Sequence, residues 1–230
     1  MNNPIFCALD TPDPVQTATL ARQIAGHVHG VKLGLEFFMA QGPAGIAAAR
    51  PADVPLFLDV KLHDIPNTVA GALQSLLPLR ADFITIHTSG GPAMLRAARD
   101  TAAKAGATRP RLLGVTVLTS MDGADLVAVG QDRDPSAQVV RLARLAQDAG
   151  LDGVICAPTE IAALRHACGA DFILMVPGIR PVWAAAGDQK RVMTPREAVA
   201  AGATYLVIGR PITAATDPGQ AAARIVAELA

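Results

Sequence analysis

Short apolar runs and longer helical patterns alternate along the whole chain. The runs are rich in Val, Ile and Leu, which is typical of strands buried in a parallel sheet. Between them, Ala and other apolar residues recur at helical spacing, and Asp-Pro or Thr-Pro pairs mark helix starts. The pattern predicts eight strand–helix units, with strands at residues 5–9, 31–34, 56–61, 83–87, 112–118, 153–157, 172–176 and 205–208.

Eight such units in 230 residues fit a closed (β/α)8 TIM barrel, an α/β fold, better than an open doubly wound sheet. No domain break or low-complexity tract interrupts the sequence, so we expect a single barrel domain over residues 1–230. Two strand-to-helix connections are long, at residues 119–133 and 177–192. Long loops on the carboxyl side of a barrel usually carry function, so both are candidates for a site.

Composition narrows the class of protein. The chain is 51% hydrophobic with a mean hydropathy of +0.33, yet no apolar run is long enough to cross a bilayer. Lys+Arg and Asp+Glu number 20 each, so no basic field exists to hold nucleic acid or an anionic membrane. The first residues lack the regions of a signal peptide. The three cysteines show no C-x-x-C spacing, and Cys7 and Cys156 lie in apolar runs as buried thiols would, so we expect a cytoplasmic protein.

The most informative stretch is FLDVKLHDIPNT at residues 57–68. Side chains alternate along a strand, so Asp59 and Lys61 share one face while the apolar residues between them face the covering helices. Pro66 disfavours helix at the preceding residue and can open one itself, which puts Asp64 at the strand-to-helix turn. Charges at the carboxyl end of a strand are where α/β enzymes keep their chemistry. For an isolated Asp-x-Lys, a structural salt bridge is the alternative.

Polar residues also follow most of the other predicted strands. The loop after the eighth strand carries Gly209 and Arg210, where barrels often bind phosphate. Glycine lets a backbone N–H approach the oxygens, and arginine supplies a charge-assisted clamp. The neighbouring loop after the seventh strand adds Arg180 and Gln189, so we predict a phosphate site between the two loops. The remaining polar strand ends are at Asp10, Lys32, His87, Thr119 and Ser120.

Several stretches together carry a family resemblance. Residues 59–68 read D-x-K-x-x-D-I-P-N-T, and later stretches read V-P-G-I-R-P, G-D-Q-K-R-V-M-T-P and Y-L-V-I-G-R-P-I. A-L-D, V-K-L-G and V-L-T-S stand at the first, second and fifth strands. In these motifs the chain resembles the bacterial members of the orotidine 5′-phosphate decarboxylase family, from the first strand to the eighth. The resemblance makes Lys61 the proton donor and gives Lys32, Asp59 and Asp64 as the rest of an alternating charge array.

The resemblance also implies substrate contacts and an assembly. It places Asp10 and Thr68 on the ribose of the substrate, and Thr119 and Ser120 near its pyrimidine. It puts Asp64, Ile65 and Thr68 into the site of the partner subunit, which implies a homodimer with shared active sites. The phosphate is expected among Arg180, Gln189, Gly209 and Arg210.

The reaction implied is the decarboxylation of orotidine 5′-monophosphate to uridine 5′-monophosphate in pyrimidine biosynthesis. Loss of CO₂ from C6 leaves a poorly delocalised carbanion, a problem for which enzymes commonly recruit a metal, pyridoxal or thiamine. The sequence has no evident metal cluster or cofactor fingerprint, so we expect fixed charges to serve instead of a metal or cofactor. A lysine ammonium beside C6 stabilises the negative charge and then protonates the carbon, while Asp59 disfavours the bound substrate carboxylate.

Three alternatives remain at this stage. His87 is a possible metal ligand together with His63 and Asp64. A related sugar-phosphate decarboxylase or synthase shares the D-x-K-x-x-D pattern on the same barrel but uses Mg²⁺. A non-catalytic barrel that senses a phosphorylated ligand would need the phosphate loops but not Lys61.

Overall fold

Eight parallel strands close into a barrel in the computed structural model, which describes residues 3–51, 53–184 and 193–229. The strands pair in chain order, and the last pairs with the first. The predicted (β/α)8 barrel is confirmed, whereas the assignment of residues 1–230 to one domain stays a prediction. The strands are β1 (Ile5–Ala8), β2 (Gly30–Gly34), β3 (Leu56–Leu62), β4 (Phe83–His87), β5 (Arg111–Val115), β6 (Gly153–Ile155), β7 (Ile173–Val176) and β8 (Tyr205–Ile208).

Helices connect the strands, as the alternating pattern predicts. Two of them are short and were not predicted, one inside the connection at 119–133 and one directly after β8. The α-helices of the described ranges are α1 (Pro14–Ile24), α2 (Leu35–Ala49), α3 (Pro66–Leu76), α4 (Gly91–Ala103), α5 (Gly123–Ala128), α6 (Pro135–Asp148), α7 (Ile161–Cys168), α8 (Pro195–Ala201), α9 (Arg210–Thr213) and α10 (Pro218–Ala227). None of the helices in these ranges is both long and apolar enough to span a bilayer.

Four of the described helices begin at capping residues seen in the sequence. Asp13, Asp134 and Asp217 each precede a proline and accept backbone N–H groups from the first turn of α1, α6 and α10. Thr194 and Glu197 form a reciprocal capping box at α8. Each such cap contributes about 1 kcal/mol to helix stability. These caps set where the connections on the carboxyl side of the barrel end.

The barrel interior is filled at its amino end by aromatic rings. Phe6, Phe57, Phe83 and Tyr205 meet edge to face, with ring centroids 5.2–6.3 Å apart. The guanidinium of Arg111 lies 4.0 Å from the centroid of the Phe83 ring. A larger apolar cluster lies between the strands and the surrounding helices. The rings fill the amino end of the barrel interior, which leaves its carboxyl end for a ligand.

Candidate active site

A cavity of about 200 Å³ lies at the carboxyl end of the barrel. One part of its wall is charged and is formed by Lys32, Asp59 and Lys61. Such a cavity suits a small ligand with one charged edge, because apolar walls exclude water while a few polar groups fix orientation. The rest of the wall is mainly apolar and is made by Phe57, Val115, Val117, Leu118, Thr119, Ile155, Cys156, Pro177 and Val207.

The charged groups form one alternating row. Lys32 Nζ lies 2.7 Å from Asp10 Oδ1 and 3.9 Å from Asp59 Oδ2. Lys61 Nζ lies 2.8 Å from both carboxylate oxygens of Asp59. Opposite unit charges about 4 Å apart attract by roughly 4 kcal/mol at an effective dielectric of 20. Because the Lys32 and Asp59 side chains are only 10% and 14% exposed, water screens this part of the row weakly. Each member therefore attracts its neighbours and helps to hold them in place.

Asp10 has a place in the row that sequence analysis did not anticipate. Its carboxylate pairs with Lys32 at the end of the row away from Lys61, and its side chain is 61% exposed. The same carboxylate is therefore open to a ligand at the cavity mouth. Its predicted contact with a ribose stays a prediction.

The backbone at Lys61 is unusual. Its φ is +47°, in the left-handed region that costs a non-glycine residue on the order of 1–2 kcal/mol. The pairing of β3 with β4 also shifts here, since Leu58 pairs with Ile84 but Leu62 pairs with Ile86. Strain of this kind persists only where the surroundings hold it, and it clusters at functional sites.

The residues predicted to reach into a partner's site do not line the cavity of their own chain. Asp64, Ile65 and Thr68 are exposed, and the Ile65 side chain is among the most exposed large apolar ones, at 67%. The carboxylate of Asp64 accepts the backbone N–H of Ile65 at 2.7 Å. No described residue of the chain forms an ion pair with it. The predicted array of Lys32, Asp59, Lys61 and Asp64 is therefore not assembled within one chain.

The two predicted phosphate loops begin after neighbouring strands. Gly209 precedes α9 and Arg210 is its first residue, directly after β8. Arg180 follows β7 and is buried, and its backbone N–H donates to the carbonyl of Met193 at 3.0 Å. This bond ties the two sides of the long connection together at its base. Gln189 lies outside the described residues, so its predicted role stays a prediction.

The two residues predicted near a pyrimidine differ in position. Thr119 lines the cavity, whereas Ser120 is exposed in the following turn and does not. Thr119 therefore lines the same cavity as the charged row. For Ser120 to contact a ligand there, the loop at residues 119–133 would have to close over the ligand.

The predicted alternative of a metal site at His87 is only partly assembled. The rings of His63 and His87 lie 5.2 Å apart between centroids, but the Asp64 carboxylate accepts the backbone N–H of Ile65. Over the described residues, no three His, Cys, Asp or Glu side chains lie together in a way that could hold a metal ion. Burial lowers the pKa of His87, and the nearby His63 and Lys61 lower it further. His87 is therefore neutral near pH 7.

Sequence analysis missed Thr85 and most of the apolar wall. Thr85 is fully buried in β4, and its hydroxyl contacts both Asp59 and Lys61. The signal was available, because strand alternation puts Thr85 on the same face as His87 and the inward-facing Phe83. The same alternation would have found Val115, Ile155 and Val207, which are the inward residues nearest the strand ends.

A closed parallel barrel with a cavity and a row of paired charges at its carboxyl end defines an enzyme that acts on a small molecule. The family model described as "Orotidine 5'-phosphate decarboxylase / HUMPS family" matches residues 3–225. The chain belongs to this family, which confirms the resemblance seen in its motifs.

Individual relatives match over nearly their whole length. A protein from Paramagnetospirillum magneticum named orotidine 5'-phosphate decarboxylase is 54% identical, covering 100% of this chain and 99% of its own. One of the same name from Rhodospirillum rubrum is 50% identical, over 99% and 94% of the two chains. The crystal structure of orotidine 5'-phosphate decarboxylase from Lactobacillus acidophilus superposes with a TM-score of 0.87, at 36% identity over 99% of both chains.

Proposed function

We propose that this protein decarboxylates orotidine 5′-monophosphate to uridine 5′-monophosphate, a step of pyrimidine biosynthesis. The observation that carries the proposal is the Lys61 ammonium, held 2.8 Å from Asp59 at the wall of a mainly apolar cavity. The relatives reported above bear the name of this activity. A positive charge fixed beside a water-poor cavity is what a carbanion formed without an electron sink requires.

In the proposed reaction the bond between C6 and the carboxylate carbon breaks and CO₂ leaves. The electron pair stays on C6, where the Lys61 ammonium stabilises it and then transfers a proton to the carbon. Lys61 regains its proton from solvent when the product leaves. Asp59 is proposed to lie beside the substrate carboxylate, so its charge would disfavour the bound substrate more than the transition state. Lys32, whose Nζ lies 3.9 Å from Asp59 Oδ2, helps to hold Asp59 in place, and no metal or organic cofactor takes part.

We propose that the remaining parts of the substrate are held by the loops around the cavity. The phosphate would lie among Arg180, Gln189, Gly209 and Arg210, which follow β7 and β8. Its binding energy would be used to close these loops over the base, which raises the rate of the chemical step. Asp10 and Thr68 are proposed to contact the ribose, and Thr119 and Ser120 the pyrimidine.

The active form is proposed to be a homodimer with shared sites. Asp64, Ile65 and Thr68 are exposed in one chain, and Asp64 would extend the charge row beside Lys61 of the partner. An exposed large apolar side chain next to exposed polar residues supports a contact surface here. The protein is proposed to work in the cytoplasm, which agrees with three free, buried cysteines. We propose that neither nucleic acid nor a membrane is a partner, and the net charge of zero agrees with this.

One assay tests the proposed function. Purified protein is treated exhaustively with a chelator, and the loss of orotidine 5′-monophosphate absorbance is followed with Lys61→Ala as the matched inactive control. We expect full activity with chelator present, no turnover by the control, and one CO₂ per substrate consumed. Activity that disappears on chelation and returns with Mg²⁺ would instead favour the sugar-phosphate branch. Binding of the nucleotide without turnover would favour a non-catalytic barrel.

A further inference from the structure

Thr85 is the residue of β4 that faces the irregular part of β3. Leu58 pairs with Ile84 and Leu62 pairs with Ile86, so residues 59–61 lie opposite Thr85 alone. Extra residues in one strand leave backbone groups without their regular ladder partners. The bulge thus falls on the segment that carries both Asp59 and Lys61.

The hydroxyl of Thr85 compensates for this irregularity on both sides. Its Oγ1 accepts the backbone N–H of Lys61 at 2.9 Å and donates to Asp59 Oδ1 at 2.9 Å. Thr85 is 0% exposed, so water does not reach the hydroxyl from outside. One buried hydroxyl therefore uses its donor on the carboxylate of Asp59 and accepts from the main chain of Lys61.

These two hydrogen bonds act on Asp59 and Lys61, whose relative placement matters for the proposed reaction. The bond to Asp59 fixes one carboxylate oxygen and hence the rotation of that carboxylate. The bond to Lys61 holds a lysine backbone at a φ of +47°, a conformation it does not adopt without support. Lys61 Nζ then meets both Asp59 oxygens at 2.8 Å. The position of the proton donor thus depends on a residue that itself does not line the cavity.

We propose that Thr85 is a positioning residue that sets the relative placement of the Lys61 ammonium and the Asp59 carboxylate through its hydroxyl. The inference rests on the proposed decarboxylation. It predicts that the hydroxyl matters for the rate of the chemical step and little for the binding of the nucleotide, because the phosphate loops that hold the nucleotide lie elsewhere.

The test compares Thr85→Val, which keeps the shape and removes the hydroxyl, with Thr85→Ser, which keeps the hydroxyl. The matched control is Thr101→Val in α4, since Thr101 is also buried but its hydroxyl donates to the carbonyl of Ala97, far from the row. For each protein we would measure kcat and KM for orotidine 5′-monophosphate, Kd for uridine 5′-monophosphate, and Tm.

Thr85→Val is expected to lose about ten- to a hundredfold in kcat, the effect typical of a small misplacement of reacting groups. Its Kd for uridine 5′-monophosphate should stay near that of wild type. Thr85→Ser should recover most of the lost rate, and Thr101→Val should keep wild-type kcat with a comparable change in Tm. This split between rate and product binding, with rescue by serine, would not arise if Thr85 only stabilised the barrel.

Three results would overturn the inference. One is a Thr85→Val protein with wild-type kcat, and another is a serine variant as slow as the valine variant. The third is that Thr85→Val and Thr85→Ala both fail to fold while Thr85→Ser folds, since the hydroxyl would then hold the fold and not the site. Failure of the proposed function is distinct, because wild type itself would then not consume orotidine 5′-monophosphate.

Discussion

The two ends of the barrel interior are built by the same strands for different purposes. On β3, Phe57 faces inward at the amino end, and Asp59 faces inward two residues later. On β4, Phe83 and Thr85 stand in the same relation. The amino end is a layer of packed rings, whereas the carboxyl end is a cavity bordered by paired charges. On each of these strands, an inward residue that packs in the aromatic layer is thus followed two residues later by an inward residue that belongs to the candidate active site.

The difference between the two ends is also energetic. Fully burying a large apolar side chain stabilises a protein by about 1.5–3 kcal/mol. Charges held away from water cost free energy that their mutual attraction only partly recovers. A strained backbone at Lys61 adds to that cost. The aromatic end therefore offsets a carboxyl end that is arranged for reactivity, and substitutions at the two ends should have different consequences.

The largest stability effect is expected at the aromatic end. Phe83→Ala removes a ring that contacts Phe6, Phe57 and Tyr205 and that lies under Arg111. It should lower the free energy of unfolding by about 3–5 kcal/mol, while Phe83→Leu should cost less because it refills part of the cavity. Urea unfolding measures the loss. The protein that remains folded should keep nearly wild-type kcat, and a large fall in kcat without loss of stability would break the comparison.

A smaller effect is expected from pH at the same end. His29 packs against Phe6 and Tyr205, and burial lowers its pKa, with Arg111 lowering it further and Asp82 opposing. The unfolded chain therefore takes up a proton more readily, and stability should fall as pH drops below about 6.5.

The urea midpoint followed from about pH 7.5 to 5.5 checks this sign. His29→Gln should show a shallower decline than wild type, because it lacks the contribution of His29. The contribution of His87, whose pKa is also lowered, is the same in both proteins. Parallel declines of the two proteins would show that His29 has no part in the pH dependence.

Much of the fold could be predicted because each strand is a separate apolar run, and α1, α6, α8 and α10 each begin after a visible capping residue. The fifth strand was predicted over 112–118 but ends at Val115, and just beyond it the hydroxyl of Thr116 donates to the carbonyl of Ile155. The helix α5 was missed, although Asp122 and Asp125 form a capping box at its start. Short apolar runs therefore predict how many strands there are more reliably than they predict where each strand ends.

The site could be predicted in its charges but not in its geometry. Asp59 and Lys61 stand at regular strand spacing, so nothing in the sequence reveals the bulge or the left-handed backbone of Lys61. Thr85, whose hydroxyl contacts both Asp59 and Lys61, lies 24 residues further along than Lys61 and belongs to another strand. The pairing of Asp10 with Lys32 was missed for the same reason, since strand neighbours in a barrel are far apart in sequence.

Hybrid dimers test most directly whether two chains complete each site. Lys61→Ala and Asp64→Asn, each inactive alone, are mixed under conditions that exchange subunits, with exchange confirmed by mass-tagged protein. Random exchange of equal amounts makes about half of the dimers hybrid, and each hybrid has one site with both residues intact. We expect about a quarter of wild-type activity to return. No recovery after confirmed exchange would contradict the shared site and remove Asp64 from the partner's charge row.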